Sequence, residues 1–566
     1  MISVKVVCVC GQKYAFDVQP HNGRMPAAVH CPVCGADGTA SANEIIARTL
    51  AAQPAPVAAV QPSAPSPVAP APAKTAKPVE KKSKSGWLIY AIIGVATVAM
   101  TAAIFVWLKH PAATATEPRE SRIAASQPSR TTVLPPEAVA FIDAKEKQAE
   151  ELAQLYNFQM PDAAAKFFAA AKSGKLAEAQ RAFADLRKNA AANPDMDASG
   201  NPLVQVACDV ELCVEAFGTD GGDADLMLAL ARAMTNSLTA GCIYFGGTDP
   251  GRGLPTMLCH SPGDPFFVIS QNPLADAGYM ELLRAEYGDS LQIPTTDDIA
   301  ACRSNYLADV QSRAANGKLR PGENFRIENG QPKVQGQVAV MNINALIAKT
   351  IFDKNPSHDF FYEESFPLDW MYPYLTPHGL LMKVNRQPLA DMPPEEIQSD
   401  EDFWSKETAD KIGGWLAQDT SVSNVCAFAE KVSAHGDLSD FSGDPKFAAD
   451  KYSQKIASKL RSSIAGIYAW RLSPQCPPEY QPKNDAERQQ LTAAADFAFR
   501  QALALCPYSP EAVFRYINFL VPAGRFDDAI LIANTDLDCL QKNEPGMDSS
   551  QIKSLISQLQ ILRKTQ

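Results

Sequence analysis

Histidine is scarce, with seven residues in a chain of 566. His260, His358, His378 and His435 are scattered, and no His-x-x-x-His or His-Glu-x-x-His spacing occurs. That excludes the helical zinc-hydrolase arrangement, which needs two imidazoles on one helix face. Ser365 lacks the Gly-x-Ser-x-Gly elbow of a hydrolase nucleophile. Basic charge is also short. Lys and Arg number 52 against 63 Asp and Glu, a net charge of −11. A general nucleic-acid binder would show a basic footprint, so no nucleic acid is expected among the partners. Charged residues make up 20% and hydrophobic ones 46%, which fits neither a disordered chain nor a multi-pass membrane protein. The length allows about three or four folded units.

The charge is unevenly placed. Residues 1–110 carry a net of +6 and the remainder −17, which points to two halves in two environments. Cys8, Cys10, Cys31 and Cys34 lie at the start, each pair followed by a glycine, Gly11 and Gly35. Two knuckle turns can each present two thiolates, and four thiolates satisfy tetrahedral zinc. About 40 residues bury little core, so a structural zinc would supply the folding energy. Two disulfides are the alternative, and a reducing compartment would oppose them. The intervening Lys13 to Met25 is expected to form a small hairpin. His21 and His30 lie nearby but are not needed, since four cysteines complete a closed site. The segment resembles the small zinc ribbons at the N-termini of some bacterial membrane-anchored proteins.

Residues 41–85 form an Ala/Pro-rich linker, with eight prolines between 50 and 80. Proline without packing partners gives an extended spacer. Gly86 to Leu108 is an uncharged run with Trp87, Tyr90 and Trp107 near its ends. At 1.5 Å per residue it would span about 34 Å, enough for a hydrocarbon core of about 30 Å. The reading is a single transmembrane helix, with a buried core helix as the alternative. Lys74, Lys77, Lys81, Lys82 and Lys84 precede it and only Lys109 closely follows. Positive charge stays inside, so the N-terminus is expected in the cytoplasm and residues 110–566 in a bacterial periplasm, anchored to the inner membrane. Nine cysteines would then face the oxidising side, Cys208 and Cys213 being the closest pair.

After a second linker (109–135), residues 136–200 read as a helical hairpin region turning at Ser173-Gly174-Lys175. Residues 396–480 read as helical. Residues 481–566 show tetratricopeptide-like spacing: Ala495, Phe499, Ala502 and Pro507 follow the small, large, small, proline order of a second repeat helix. Such repeats bind protein partners through a concave face, and a plain helical bundle is the alternative. Between them, residues 201–395 alternate helical periods with short apolar runs, ending in a strand over 359–363, a helix over 368–375 and a strand over 379–384. Alternation implies a mostly parallel sheet covered on both faces. The expected whole is a multidomain α/β plus α protein, with zinc ribbon, single transmembrane helix, α/β domain, flanking hairpins and repeats.

The runs Ile243-Tyr-Phe-Gly-Gly-Thr-Asp-Pro-Gly-Arg-Gly-Leu-Pro255, Phe266 to Leu274, Phe360 to Asp369 and Tyr374 to Asn385 carry a resemblance, as does Lys459 to Trp470. Over roughly residues 200–540 the chain resembles the extracytoplasmic C-terminal region of an uncharacterised bacterial multi-pass family. That family is itself similar to glycosyltransferases of the protein O-mannosyltransferase type, which use lipid-linked sugars. The resemblance places catalysis in a multi-pass half that this chain, with one expected span, lacks. No catalytic residue carries over.

The best candidate site is the loop Gly246, Gly247, Thr248, Asp249, Pro250, Gly251, Arg252, Gly253, at the expected end of a strand. Ligands of open α/β sheets bind there. Asp249 would accept sugar hydroxyls and Arg252 clamp a phosphate or carboxylate. The loop is neither a Walker loop nor a dinucleotide turn. The alternative is a tight turn with Asp249 capping a helix. Glu363, Glu364 and Asp369 follow another strand end, as partners for Arg252, an acid/base couple or plain solvated carboxylates. Asp220 to Asp225 has the wrong spacing for a calcium loop and reads as a helix start capped by Asp223. The functional expectation is a membrane-anchored periplasmic binding or scaffold protein. It would be tied to glycan or lipid-linked-sugar metabolism through partners, with a sugar or lipid-linked sugar as a possible ligand. An envelope sugar-acting enzyme using the 246–253 loop is the alternative.

Overall fold

The structure is a computed structural model that describes residues 2–7, 13–18, 29, 39, 42, 43, 46, 132–192, 202–218, 222–247, 250–259, 266–320, 322–328, 331–363 and 367–565. The chain divides into two compact units, Met1–Lys82 and Ser83–Gln566. In the first, β1 (Ile2–Val7) pairs antiparallel with β2 (Lys13–Val18), Ile2 facing Val18 and Val7 facing Lys13. The hairpin expected at 13–25 is thus displaced: β2 pairs backward with β1, and in sequence the two strands bracket Cys8 and Cys10. Those two cysteines, with Cys31 and Cys34, lie outside the described residues.

In the second unit the described residues open with four helices, α1 (Pro136–Leu155), α2 (Asp162–Lys172), α3 (Leu176–Ala192) and α4 (Pro202–Ala216), followed by α5 (Ala224–Asn236). A strand–helix–strand segment comes next: β3 (Cys242–Gly246), α6 (Pro250–Leu258) and β4 (Phe266–Ser270). Then come α7 (Ala277–Tyr287), α8 (Thr296–Ala315), the hairpin β5 (Asn324–Glu328) and β6 (Gln331–Gln335), and α9 (Gln337–Lys354). β7 (Phe360–Tyr362), β8 (Leu375–His378) and β9 (Leu381–Val384) complete the strands. The rest is helical: α10 (Pro394–Ile412), α11 (Val422–Ala429), α12 (Pro445–Ala449), α13 (Lys451–Leu472), α14 (Asp485–Leu505), α15 (Pro510–Leu520), α16 (Phe526–Asn543) and α17 (Ser550–Thr565).

Local chemistry sets several of these boundaries. The Asp223 carboxylate accepts the backbone N–H groups of Asp225 and Leu226 and so opens α5. Thr295 and Asp298 form a reciprocal capping box at the start of α8. Gly174 turns α2 into α3 at φ +67°, and a Cβ there would lie 1.9 Å from the Thr132 carbonyl oxygen. In the C-terminal array Ala495 and Ala502 are fully buried, so α14 sits close to its neighbours. Phe499 fills the adjoining space and stacks on Tyr516 of α15 at 5.4 Å.

The sheet corrects the expected fold class. Its order is β4-β3-β7-β9-β8. β3 runs parallel to β4 and β7, but β9 is antiparallel to both β7 and β8. The sheet is mixed, and helices dominate the described structure. The reason lies in residues 368–384. A helix was expected over 368–375, which would have served as a parallel crossover. That stretch is instead a short 3₁₀ turn at Tyr372–Tyr374 running directly into β8. Gly379, at φ +61°, then folds β8 back onto β9 through two residues. A two-residue connection joins only antiparallel strands. The expected single transmembrane helix is corrected as well: among the described residues no helix is long and apolar enough to cross a membrane. The run at 86–108 lies outside them.

One hydrophobic core runs from Ala138 in α1 to Leu559 in α17. Helices α1 to α3, the sheet and the C-terminal helices all contribute to it. Charge is buried inside this core. Asp400 of α10 and Arg461 of α13 are each 0% exposed as side chains. Arg461 donates from Nη1 to both Asp400 oxygens at 2.9 and 2.8 Å, and from Nε to Gln501 of α14 at 2.8 Å. Tyr468 donates to the same carboxylate at 2.8 Å. The guanidinium also lies over the Trp404 ring, 5.1 Å from its centroid. Removing one member of such a pair strands the other without water. Asp400→Ala and Arg461→Met are each expected to cost about 3–5 kcal/mol in urea unfolding. The double variant Asp400→Leu/Arg461→Met should lose far less than the sum. Additive losses would show that the two groups do not act as a pair.

Candidate functional site

The C-terminal ends of β4, β3 and β7 lie side by side. β3 leaves through α6 toward β4, while β7 lies on the opposite side of β3, so the crevice beyond β3 and β7 is a topological switch point. Gly246 and Gly247 end β3, Ser270 and Gln271 end β4, and Glu363 follows β7. All five are buried. Their polar groups bond across the strand ends. Tyr362 Oη donates to Gln271 Oε1 at 2.8 Å, and Ser270 Oγ to the Gly247 carbonyl at 3.3 Å. The Glu363 amide donates to Phe245 and the Gln271 amide to Gly246, each at 3.0 Å.

The two charged candidates are drawn apart. Arg252, 4% exposed, turns inward and donates from Nη1 to Asp209 of α4 at 2.9 Å. Asp209 is also 3.2 Å from Lys145 of α1, which in turn lies 3.2 Å from Glu286 of α7. Two cations and two anions thus join four helices. Burial alone would drive these groups toward neutrality. The opposing charges prevail, holding the Lys145 ammonium above its ordinary range and the Asp209 carboxyl below it. Glu363, fully buried, pairs with Lys459 of α13 at 2.5 Å rather than with Arg252. Asp249 and Glu364 lie outside the described residues. Asp369 is 3.5 Å from Arg320 in an exposed pair.

The glycines have packing roles. A Cβ on Gly246 would lie 2.7 Å from Cβ and Cγ of Arg252, whose aliphatic stem covers that strand end. A Cβ on Gly253 would press on the Leu212 backbone at 3.2 Å, where α6 crosses α4 closely. Sequence reasoning missed Asp209, Lys145, Glu286 and Lys459. Asp209 is one of three acidic residues, with Glu211 and Glu215, on the largely apolar helix Pro202 to Ala216, and nothing in the sequence marks it as the one that is paired.

None of the nine cysteines between Cys208 and Cys539 forms a disulfide, and all but Cys208 are buried. Cys208 and Cys213 stand five residues apart on α4, about 140° around the helix axis. Burial pushes the thiols of Cys426 and Cys476 up to about 11, and those of Cys208, Cys242 and Cys506 up to about 12. Protonated thiols are poor nucleophiles and poor metal ligands. Among the described residues no group of three or more His, Cys, Asp or Glu side chains is placed to hold a metal. The expected zinc ligands lie outside those residues, so the described structure contains no metal centre of the kind expected. Compared with known proteins, the chain matches no family model, no curated protein and no solved structure.

Burial also raises the Asp536 carboxyl of α16 up to about 8. The folded protein keeps that proton to about pH 8, whereas the unfolded chain releases it near 3.8. Stability must therefore fall as pH rises between those values, by up to about 1.4 kcal/mol per unit from this group. Asp536→Asn removes this slope. The variant's stability advantage over the parent should widen from pH 5 to pH 7.5 in urea unfolding, and parallel curves would refute the assignment. Iodoacetamide labelling followed by peptide mass spectrometry checks the thiols. The eight buried cysteines should stay unmodified in the native chain at pH 8 and label fully after denaturation. Rapid native labelling of Cys242 or Cys506 would contradict their burial.

Proposed function

We propose that this chain is a binding and scaffolding protein that engages protein partners through its C-terminal helical array and carries no sugar-transfer chemistry of its own. The observation that supports this reading most directly is the state of Arg252 and Glu363. These are the charged residues suited to a sugar phosphate, and both are buried in ion pairs, Arg252 joining α6 to α4 and Glu363 joining the end of β7 to α13. Each of the two already has its charge met by an opposite charge of the protein, so neither is left to answer a ligand's charge. The continuous core supports the same reading, since it makes the sheet and the helical array one platform. The resemblance to an accessory region of glycosyltransferase-like proteins supplies the proposed setting, glycan or lipid-linked-sugar metabolism in the cell envelope.

The test has two arms on the full-length chain. Incubated with sugar phosphates and polyprenyl-phosphate sugars, the protein should form no product. A photo-crosslinking amino acid at Ile561, a 62% exposed apolar residue on α17, should capture a discrete protein in the source cell. Saturable turnover of any of these sugars would overturn the reading.

A further inference from the structure

A cleft of about 90 Å³ lies where the C-terminal end of α13 meets the loop before α10 and the first turns of α14. Arg471, in the last turn of α13, forms part of its wall. This guanidinium is 0% exposed. It donates from Nη1 to the Tyr480 carbonyl at 3.3 Å and from Nη2 to the Leu389 carbonyl at 3.0 Å. Its Nε has no hydrogen-bond partner. Arg252 and Arg461 each bond a buried carboxylate, whereas both of Arg471's partners are neutral. Fully buried, with neutral partners, one N–H unpaired and a cleft beside it, this cation favours an anion in that cleft.

The rest of the lining narrows the ligand. Met392, Ile397 and Leu491 give apolar walls, and Asp391 and Glu487 bring negative charge. Asp391 is 3.1 Å from Lys483 in an exposed pair. Glu487 accepts from the Lys483 amide at 2.8 Å and from Asn484 Nδ2 at 2.7 Å. A plain anion entering toward Arg471 would meet these two carboxylates. A plain cation drawn to them would meet the buried guanidinium. A molecule bearing a carboxylate and an ammonium on one carbon answers both. The volume, on the order of three waters, suits only a few heavy atoms. We propose that this cleft binds a small free α-amino acid, its carboxylate directed to Arg471 and its ammonium toward Asp391 and Glu487.

Calorimetric titration of the full-length chain with L-alanine tests this, with propionate and ethylammonium as single-charge controls. L-Alanine should bind saturably and at least about tenfold tighter than either control. Glu487→Gln should weaken L-alanine and strengthen propionate, an opposite movement that a merely structural role would not produce. Gln490→Trp, at an exposed lining position, fills the cleft from outside and should abolish binding while the circular dichroism spectrum stays unchanged. The proposal fails if L-alanine gives no saturable heat at tens of millimolar. It also fails if propionate binds as tightly as L-alanine, or if Gln490→Trp binds L-alanine like the parent.

Discussion

The Asp400–Arg461 pair governs how the second unit holds together. Neither ion touches water, so each exists as a charge only because the other is in place. Coulombic attraction across so short a gap is strong in a medium of low dielectric, but desolvating both ions costs several kcal/mol each. The net stabilisation is modest, and the positional demand is large. Arg461 uses Nε on Gln501, Nη1 on Asp400 and its flat face on Trp404, which fixes α13 against α14 and α10 at once. From the same helix, Trp404 Nε1 donates to the Gly379 carbonyl at 3.1 Å, in the turn between β8 and β9. The antiparallel edge of the sheet is thereby tied to the helical array through one helix.

Other arginines repeat this use of a planar donor. Arg386 follows β9 and donates from Nη1 to the Phe352 carbonyl at 2.8 Å, and from Nη2 to the carbonyls of Asn355 and His358. These acceptors close the end of α9 and the entry to β7, where carbonyls lack intrahelical partners and a cation is favoured. Its guanidinium lies between the rings of Phe352 and Phe360, 4.5 and 4.6 Å from their centroids. Arg515 donates to the Ser462 carbonyl at 2.9 Å, and Gly466 leaves room for it, since a Cβ there would lie 2.5 Å from Nη1. Lysine has no flat fork to bridge three carbonyls, so the Arg386 joint is specific to arginine.

This explains which parts of the protein were legible in its sequence. Short-range chemistry was: Asp223 as a cap, Gly174 as a turn and Phe499 between small residues all act within a few positions of the residue that reveals them. Long-range pairing was not. Arg252 finds Asp209 across 43 residues, Arg461 finds Asp400 across 61, and Lys459 finds Glu363 across 96. Nothing local distinguishes an arginine that clamps a phosphate from one that clamps a helix. Glycine misled in the same way. Room for a ligand's phosphate and room for an arginine stem both require a missing Cβ. Strand direction was illegible for a related reason, because it depended on whether residues 368–375 were long enough and regular enough to cross over.

The strand-end crevice then has a different meaning here from the one it has in an open parallel sheet. There the loops beyond the carboxyl ends leave a mouth, and polar groups at the ends await a ligand. Here Lys459 reaches the crevice from α13 and pairs with Glu363. Neither ion would tolerate that depth alone. Opening the crevice to a ligand would require one of them to find a new partner in the same step. The position that a purely parallel sheet would use for recognition is thus a joint between sheet and helices. A rigid joint is what a platform for partners needs, since motion there would uncouple the sheet from the array. Arg471 is the counter-example that makes the rule informative. It has the burial of Arg252 and Arg461 and lacks the carboxylate each of them holds, and it lies beside a cleft.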